Sequence, residues 1–193
     1  MDENLIRRAI ARDPGAMEAL YDTYAPSLLS VCYRYCGNRN DAEDILHDGF
    51  IKIIHNIGTF KIRTDGSLEA WMMRIMVNTS LNFIRSRLKE KNFVDIDPIL
   101  DKIEIQQDEE FGEEIYMQLS QDQVMGLIGS LPDGYRTVFN LYIFEKYGHK
   151  EIAGLMGCTE NTSKSQLSKA RALLRKKMNE LVRVKTTKAY EKV

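Results

Sequence analysis

Proline is scarce in this 193-residue chain, at four residues, and glycine reaches only twelve. A β-sandwich or a disordered chain would carry far more turn formers, so the composition leaves room chiefly for long helices. Cysteine is limited to Cys32, Cys36 and Cys158, an odd number without metal-site spacing, which fits reduced thiols in a cytosolic protein. No apolar run nears the roughly 18 residues of a membrane span. Residues 1–8 are charged, with no apolar h-region, so they do not read as a signal peptide. Catalytic constellations are missing too. His47 and His55 lie two helical turns apart, too far for one ion, and no histidine or further cysteine joins Cys32 and Cys36. No metal, cofactor, small-molecule substrate or enzymatic activity is therefore expected.

What is present is segregated charge. The net charge is −1, but residues 1–90 hold 12 basic and 12 acidic side chains, residues 91–120 hold 2 and 9, and residues 121–193 hold 13 and 7. A neutral block, an acidic connector and a basic block imply three different jobs, and only the last suits a polyanion.

Almost every other stretch has a helical period. Leu5, Ile6, Ala9 and Ile10 make a short first face. Met17, Leu20, Tyr21 and Tyr24 start a second, which resumes after Pro26 and ends at Gly37. Asn40 is placed to cap a helix with Asp41, Glu43 and Asp44 in its first turn and Ile45, Leu46, Phe50, Ile53 and Ile54 inward. Residues 59–66 read as a loop, and Ser67 can cap a long helix to about residue 89, with Trp71, Ile75, Leu81 and Ile84 inward. Ser120 and Gln123 form a capping box, and Pro132 opens the helix that follows. The expected fold is all-α. A first helical domain spans residues 1–90, a flexible acidic linker 91–120, and a second helical domain 121–183, leaving 184–193 as a disordered basic tail. A coil of that linker's length spans on the order of 30 Å.

A short helix over residues 149–156, a turn at Gly157 and a longer basic helix from about 160 to 178 have the helix-turn-helix pattern. Ile152, Leu155, Leu167, Ala170, Leu173 and Leu174 supply its buried stripe. Lys164, Ser165, Gln166, Ser168, Lys169 and Arg171 are placed to meet duplex DNA, with Gln166 suited to adenine and the lysines to guanine or phosphate. A stand-alone helix-turn-helix regulator would explain this half as well. It would not explain the first.

Several segments resemble one family. Glu151-Ile152-Ala153, Gly157-Cys158-Thr159, Thr162-Ser163-Lys164-Ser165-Gln166-Leu167 and Lys169-Ala170-Arg171 resemble the fourth region of sigma-70-family RNA polymerase sigma factors, and residues 131–139 resemble the helix before it. Residues 41–50 resemble the core-binding segment of region 2, and residues 70–79 its promoter-melting segment. The order and the short connector are similar to the extracytoplasmic-function (ECF) group, with Thr162-Ser163-Lys164-Ser165-Gln166 worded like its Bacteroidetes-type branch. The resemblance implies a cytoplasmic promoter-specificity subunit whose partners are core RNA polymerase, promoter DNA and an anti-sigma factor, often membrane-anchored. It implies that Asp41, Glu43, Asp44, His47, Asp48 and Phe50 dock the polymerase. It implies further that Phe60, Lys61, Arg63, Ser67, Asn78 and Asn82 meet the melted downstream (minus-ten) element. Lys164, Ser165, Gln166, Ser168, Lys169 and Arg171 would read the upstream (minus-thirty-five) element.

Overall fold

The computed structural model describes residues 3–61, 67–90 and 119–190, with residues 89–90 and 184–190 described by helical backbone alone. Among them there is no strand. The chain divides into two compact units, Met1–Arg87 and Leu88–Val193.

The first unit holds α1 (Glu3–Ile10), α2 (Pro14–Cys36), α3 (Arg39–Asn56), a 3₁₀ turn (Ile57–Thr59) and most of α4 (Leu68–Glu90). Asp13 separates α1 from α2: its Oδ1 accepts the Ala16 amide at 2.8 Å and Arg8 Nη2 at 2.9 Å. These bonds hold its carboxyl below the ordinary range, the Ala16 amide contributing most. Helix α2 runs unbroken through Pro26 and stops at Gly37, whose φ of 76° suits a residue without Cβ. The α3 cap is Asn38 rather than the expected Asn40, its Oδ1 accepting the Asp41 amide at 2.9 Å. Gly37 turns the chain so that Asn38 is already extended, and the helix can begin at once.

Leu20, Leu28, Tyr35, Ile45, Ile53, Met72, Met76 and Ile84 make the core of this unit. Gly49 sits so close to α4 that a Cβ there would lie 2.2 Å from Met76 Sδ. Met76 Sδ also meets Cys32 Sγ at 4.0 Å, so α2, α3 and α4 converge on one thioether. Burial pushes the Cys32 thiol up to about 12, which makes it a packing group and not a nucleophile. Ile54, expected inward, is 40% exposed. It lies at the edge of a buried stripe that Ile45, Leu46, Gly49 and Ile53 already fill.

The second unit holds α5 (Gln121–Gly129), α6 (Asp133–Ile143), α7 (His149–Met156) and α8 (Glu160–Tyr190). Ser120 and Gln123 do form the reciprocal capping box. Arg136 is buried, donating to the carbonyls of Gly129 and Leu131 at 2.9 and 2.6 Å and pairing with Asp133. It thereby satisfies the backbone of the α5–α6 corner, where a helix end leaves carbonyls without partners. Helix α8 overruns the expected disordered tail and stays helical to Tyr190. Residues 160–190 contain neither glycine nor proline, so nothing in the chain stops the helix earlier.

Candidate DNA-reading helix and polymerase-docking face

The α7–turn–α8 geometry is that of a helix-turn-helix. Gly157 adopts φ 66°, and the Cys158 amide closes on the Ala153 carbonyl at 3.1 Å. Thr159 caps α8 through Oγ1, which accepts the Thr162 amide at 3.1 Å. Ser163, Leu167, Ala170, Leu174 and Met178 are buried at helical spacing and fix which side of α8 faces in. His149, the first residue of α7, adds a polar anchor. Its Nδ1 lies 3.0 Å from Ser163 Oγ and its ring stacks on Tyr142 at 4.9 Å. Burial, with the Lys164 cation nearby, holds the His149 imidazole below its usual value.

On the outer side, Asn161, Lys164 and Ser165 are exposed, while Ser168, Lys169 and Arg171 are half-buried. Lys164 pairs with Glu160 at 2.8 Å, and its hydrogen bond keeps the Glu160 carboxyl below the ordinary range. The Arg171 guanidinium lies over the Tyr142 ring, 5.7 Å from its centre. Gln166 departs from expectation. Its Oε1 is shielded from solvent, and its Nε2 lies 3.3 Å from where a Gly134 Cβ would stand. Residue 166 is one position before Leu167 on the helical wheel's inner flank, so its amide turns toward α6 and away from a groove.

The first unit carries a different surface. Asp41 is tied within the fold: Oδ2 accepts Arg87 Nη1 at 2.9 Å and Asn38 Nδ2 at 2.6 Å. Glu43 accepts Arg39 Nε at 2.7 Å. The ring of Phe50 is buried against Tyr21, 4.7 Å between centres. Asp41 and Phe50, both expected to dock a partner, are thus engaged by side chains of their own unit. Asp44, His47 and Asp48 are exposed and have no hydrogen bond or ion pair among the described residues. They form one lip of a groove of about 570 Å³, with Asn82 and Ser86 on the other. Lys52 Nζ reaches across to Thr79 Oγ1 at 3.2 Å. Ile51 and Ile54, each 40% exposed, extend the α3 face, and Tyr21 is 46% exposed. A sequence reading of Ile54 as an inward residue hid this; the signal was an apolar stripe too wide for one buried face.

Of the residues expected to meet melted DNA, Lys61, Ser67, Asn78 and Asn82 are exposed. Ser67 Oγ caps α4 by accepting the Ala70 amide at 3.1 Å, and Asn82 Oδ1 accepts Arg85 Nη1 at 3.0 Å. Arg63 lies outside the described residues. Phe60 does not offer its ring to a base: it is 5% exposed and packs on Trp71 at 5.6 Å. An aromatic ring that follows the buried Ile57 by one turn closes the core beneath α4.

Two family models match these two halves in order. Sigma-70 region 2 covers residues 20–90 and sigma-70 region 4 covers residues 121–174. The chain belongs to the sigma-70 family. Curated relatives align along nearly all of it and are themselves sigma factors. The RNA polymerase sigma-H factor of Pseudomonas aeruginosa is 27% identical over 192 residues, covering 94% of this chain and 96% of that one. The ECF sigma factor SigW of Bacillus subtilis is 28% identical over 187 residues, covering 94% and 98%. The ECF sigma-E factor of Escherichia coli is 28% identical over 191 residues, covering 94% and 96%. The chain is thus an ECF-type sigma factor, and the stand-alone regulator falls away. In this sigma factor, region 2 is the unit with the α3 acidic face and region 4 the unit with α8.

Proposed function

We propose that this sigma factor binds core RNA polymerase through the solvent face of α3 and selects promoters through α8. Asp44, His47 and Asp48 supply polar contacts to the polymerase, and Ile51 and Ile54 supply apolar area beside them. Lys164, Ser165, Ser168 and Lys169 meet the upstream element, with Arg171 steadied by Tyr142. Lys61, Arg63, Ser67, Asn78 and Asn82 attend the melted downstream element. Strand opening of this kind needs a surface that receives extruded bases and no catalytic side chain, so the protein has no enzymatic activity of its own. Among the described residues no helix is long and apolar enough to cross a membrane. Acting on promoter DNA calls for a cytoplasmic location, with an anti-sigma factor as the expected inhibitor.

The observation that carries this reading is a division of charge between two separately packed units. Carboxylates with no partner among the described residues stand on α3, and lysines stand on α8. A polyanion would be repelled by the first surface and attracted by the second. Asp48→Arg should weaken capture of core polymerase in a pull-down, and unchanged capture would remove α3 from the assignment. Lys164→Ala with Lys169→Ala should abolish promoter-specific run-off transcription while capture stays intact. Run-off that persists would remove α8.

A further inference from the structure

The geometry points to Asn161 as the residue that sets this sigma factor's base preference in the upstream element, by pairing with an adenine. The inference rests on the proposed reading of α8 as the promoter-reading helix.

The outer side of α8 is arranged in rows. Residues 161, 165, 168 and 172 follow one another at helical spacing, and they are Asn, Ser, Ser and Ala, all uncharged. Lys164 and Arg175 flank this row on one side, and Lys169 and Lys176 flank it on the other. A helix lying in the major groove has base edges beneath its central line and phosphates along both borders. A neutral row between two basic rows matches that layout. The small side chains of Ser165, Ser168 and Ala172 let the helix approach closely.

Within the row only Asn161 carries both a donor and an acceptor at the end of a side chain able to span an adenine's N6 and N7. It is exposed in the first turn of α8, the part of such a helix that meets base edges, and its side chain has no partner among the described residues. Of the other amides on this helix, Gln166 lies off this row with its Oε1 shielded beside Gly134, and Asn179 lies about five turns further along, beyond the part of the helix that meets base edges.

The test is run-off transcription by core polymerase with the full-length protein, on templates randomised across the upstream element. The wild type should favour adenine at one position. Asn161→Ala should reduce that preference about 10-fold there and nowhere else. Asn161→Asp keeps the size but leaves only acceptors, so the same position should turn to cytosine, whose N4 donates. Gln166→Ala should leave the base profile unchanged. Three results would overturn the proposal. One is an unaltered profile in both Asn161 variants, another is loss of transcription on all templates alike, and the third is an adenine preference erased by Gln166→Ala. Failure of the parent reading looks different: Lys164→Ala with Lys169→Ala would then leave promoter-specific transcription in place.

Discussion

His149 touches three elements at once: it opens α7, stacks on Tyr142 of α6, and bonds Ser163 of α8. Neutral imidazole is the form this site prefers, because burial and the neighbouring Lys164 and Arg171 cations disfavour a further charge, with only Glu160 opposing them. A histidine whose folded value lies below its unfolded value, 6.5, contributes stability that is complete above that pH. The contribution is lost as the pH falls through the lower folded value. Urea melts from about pH 7.5 down to pH 5 should therefore show the wild type losing stability and His149→Gln losing less. Equal losses would place the proton uptake elsewhere. Other single residues were legible in the sequence only as types. Lys164 and Ser165 stand where the helical pattern put them, exposed on α8. Gln166 and Phe60 do not, because both side chains are claimed by residues outside their own helical turn, Gly134 and Trp71.

Between elements, α3 comes so near α4 that Gly49 leaves room for Met76 and nothing more. Gly49→Ala should cost about 1–3 kcal/mol, since the thioether is itself buried and must move into a filled core. Adding Met76→Ala should recover part of that loss, so the double-mutant cycle by denaturant melting should be non-additive. Strict additivity would show that α3 and α4 do not meet as described. Several helix ends follow from local chemistry alone. Gly37, Ser120 with Gln123, and Gly157 all act where turn and cap chemistry put them. Asn38 displaced Asn40 as a cap because a left-handed glycine one residue earlier had already set the entry angle. Helix α8 extends past residue 183 into a basic segment that composition alone reads as disordered, because neither glycine nor proline interrupts it.

Across the molecule, the two units pack separately, and on the proposed reading the α3 face of one meets core polymerase while α8 of the other meets the upstream element. Substitutions in one should therefore leave the other's equilibrium alone. Adding Asp48→Arg to Lys164→Ala should lower polymerase capture as Asp48→Arg does alone. Lys164→Ala should also flatten the salt dependence of promoter-duplex binding, lowering the slope by about 0.9 per lost phosphate contact. An unchanged slope would mean that Lys164 remains with Glu160 and meets no phosphate. The sequence by itself determined the helical architecture, the position of its turns and the segregation of charge along the chain. These follow from local backbone preference, capping chemistry and counting, and the family's two regions are recognised from the same local wording. Only the tertiary structure decided which edge residues face in and which carboxylates are left for a partner. A helical stripe is about 100° wide, and a residue on its border, such as Ile54 or Gln166, is assigned by what packs against it. Asp41 finds Arg87 46 positions away, and no local pattern announces a pairing at that range.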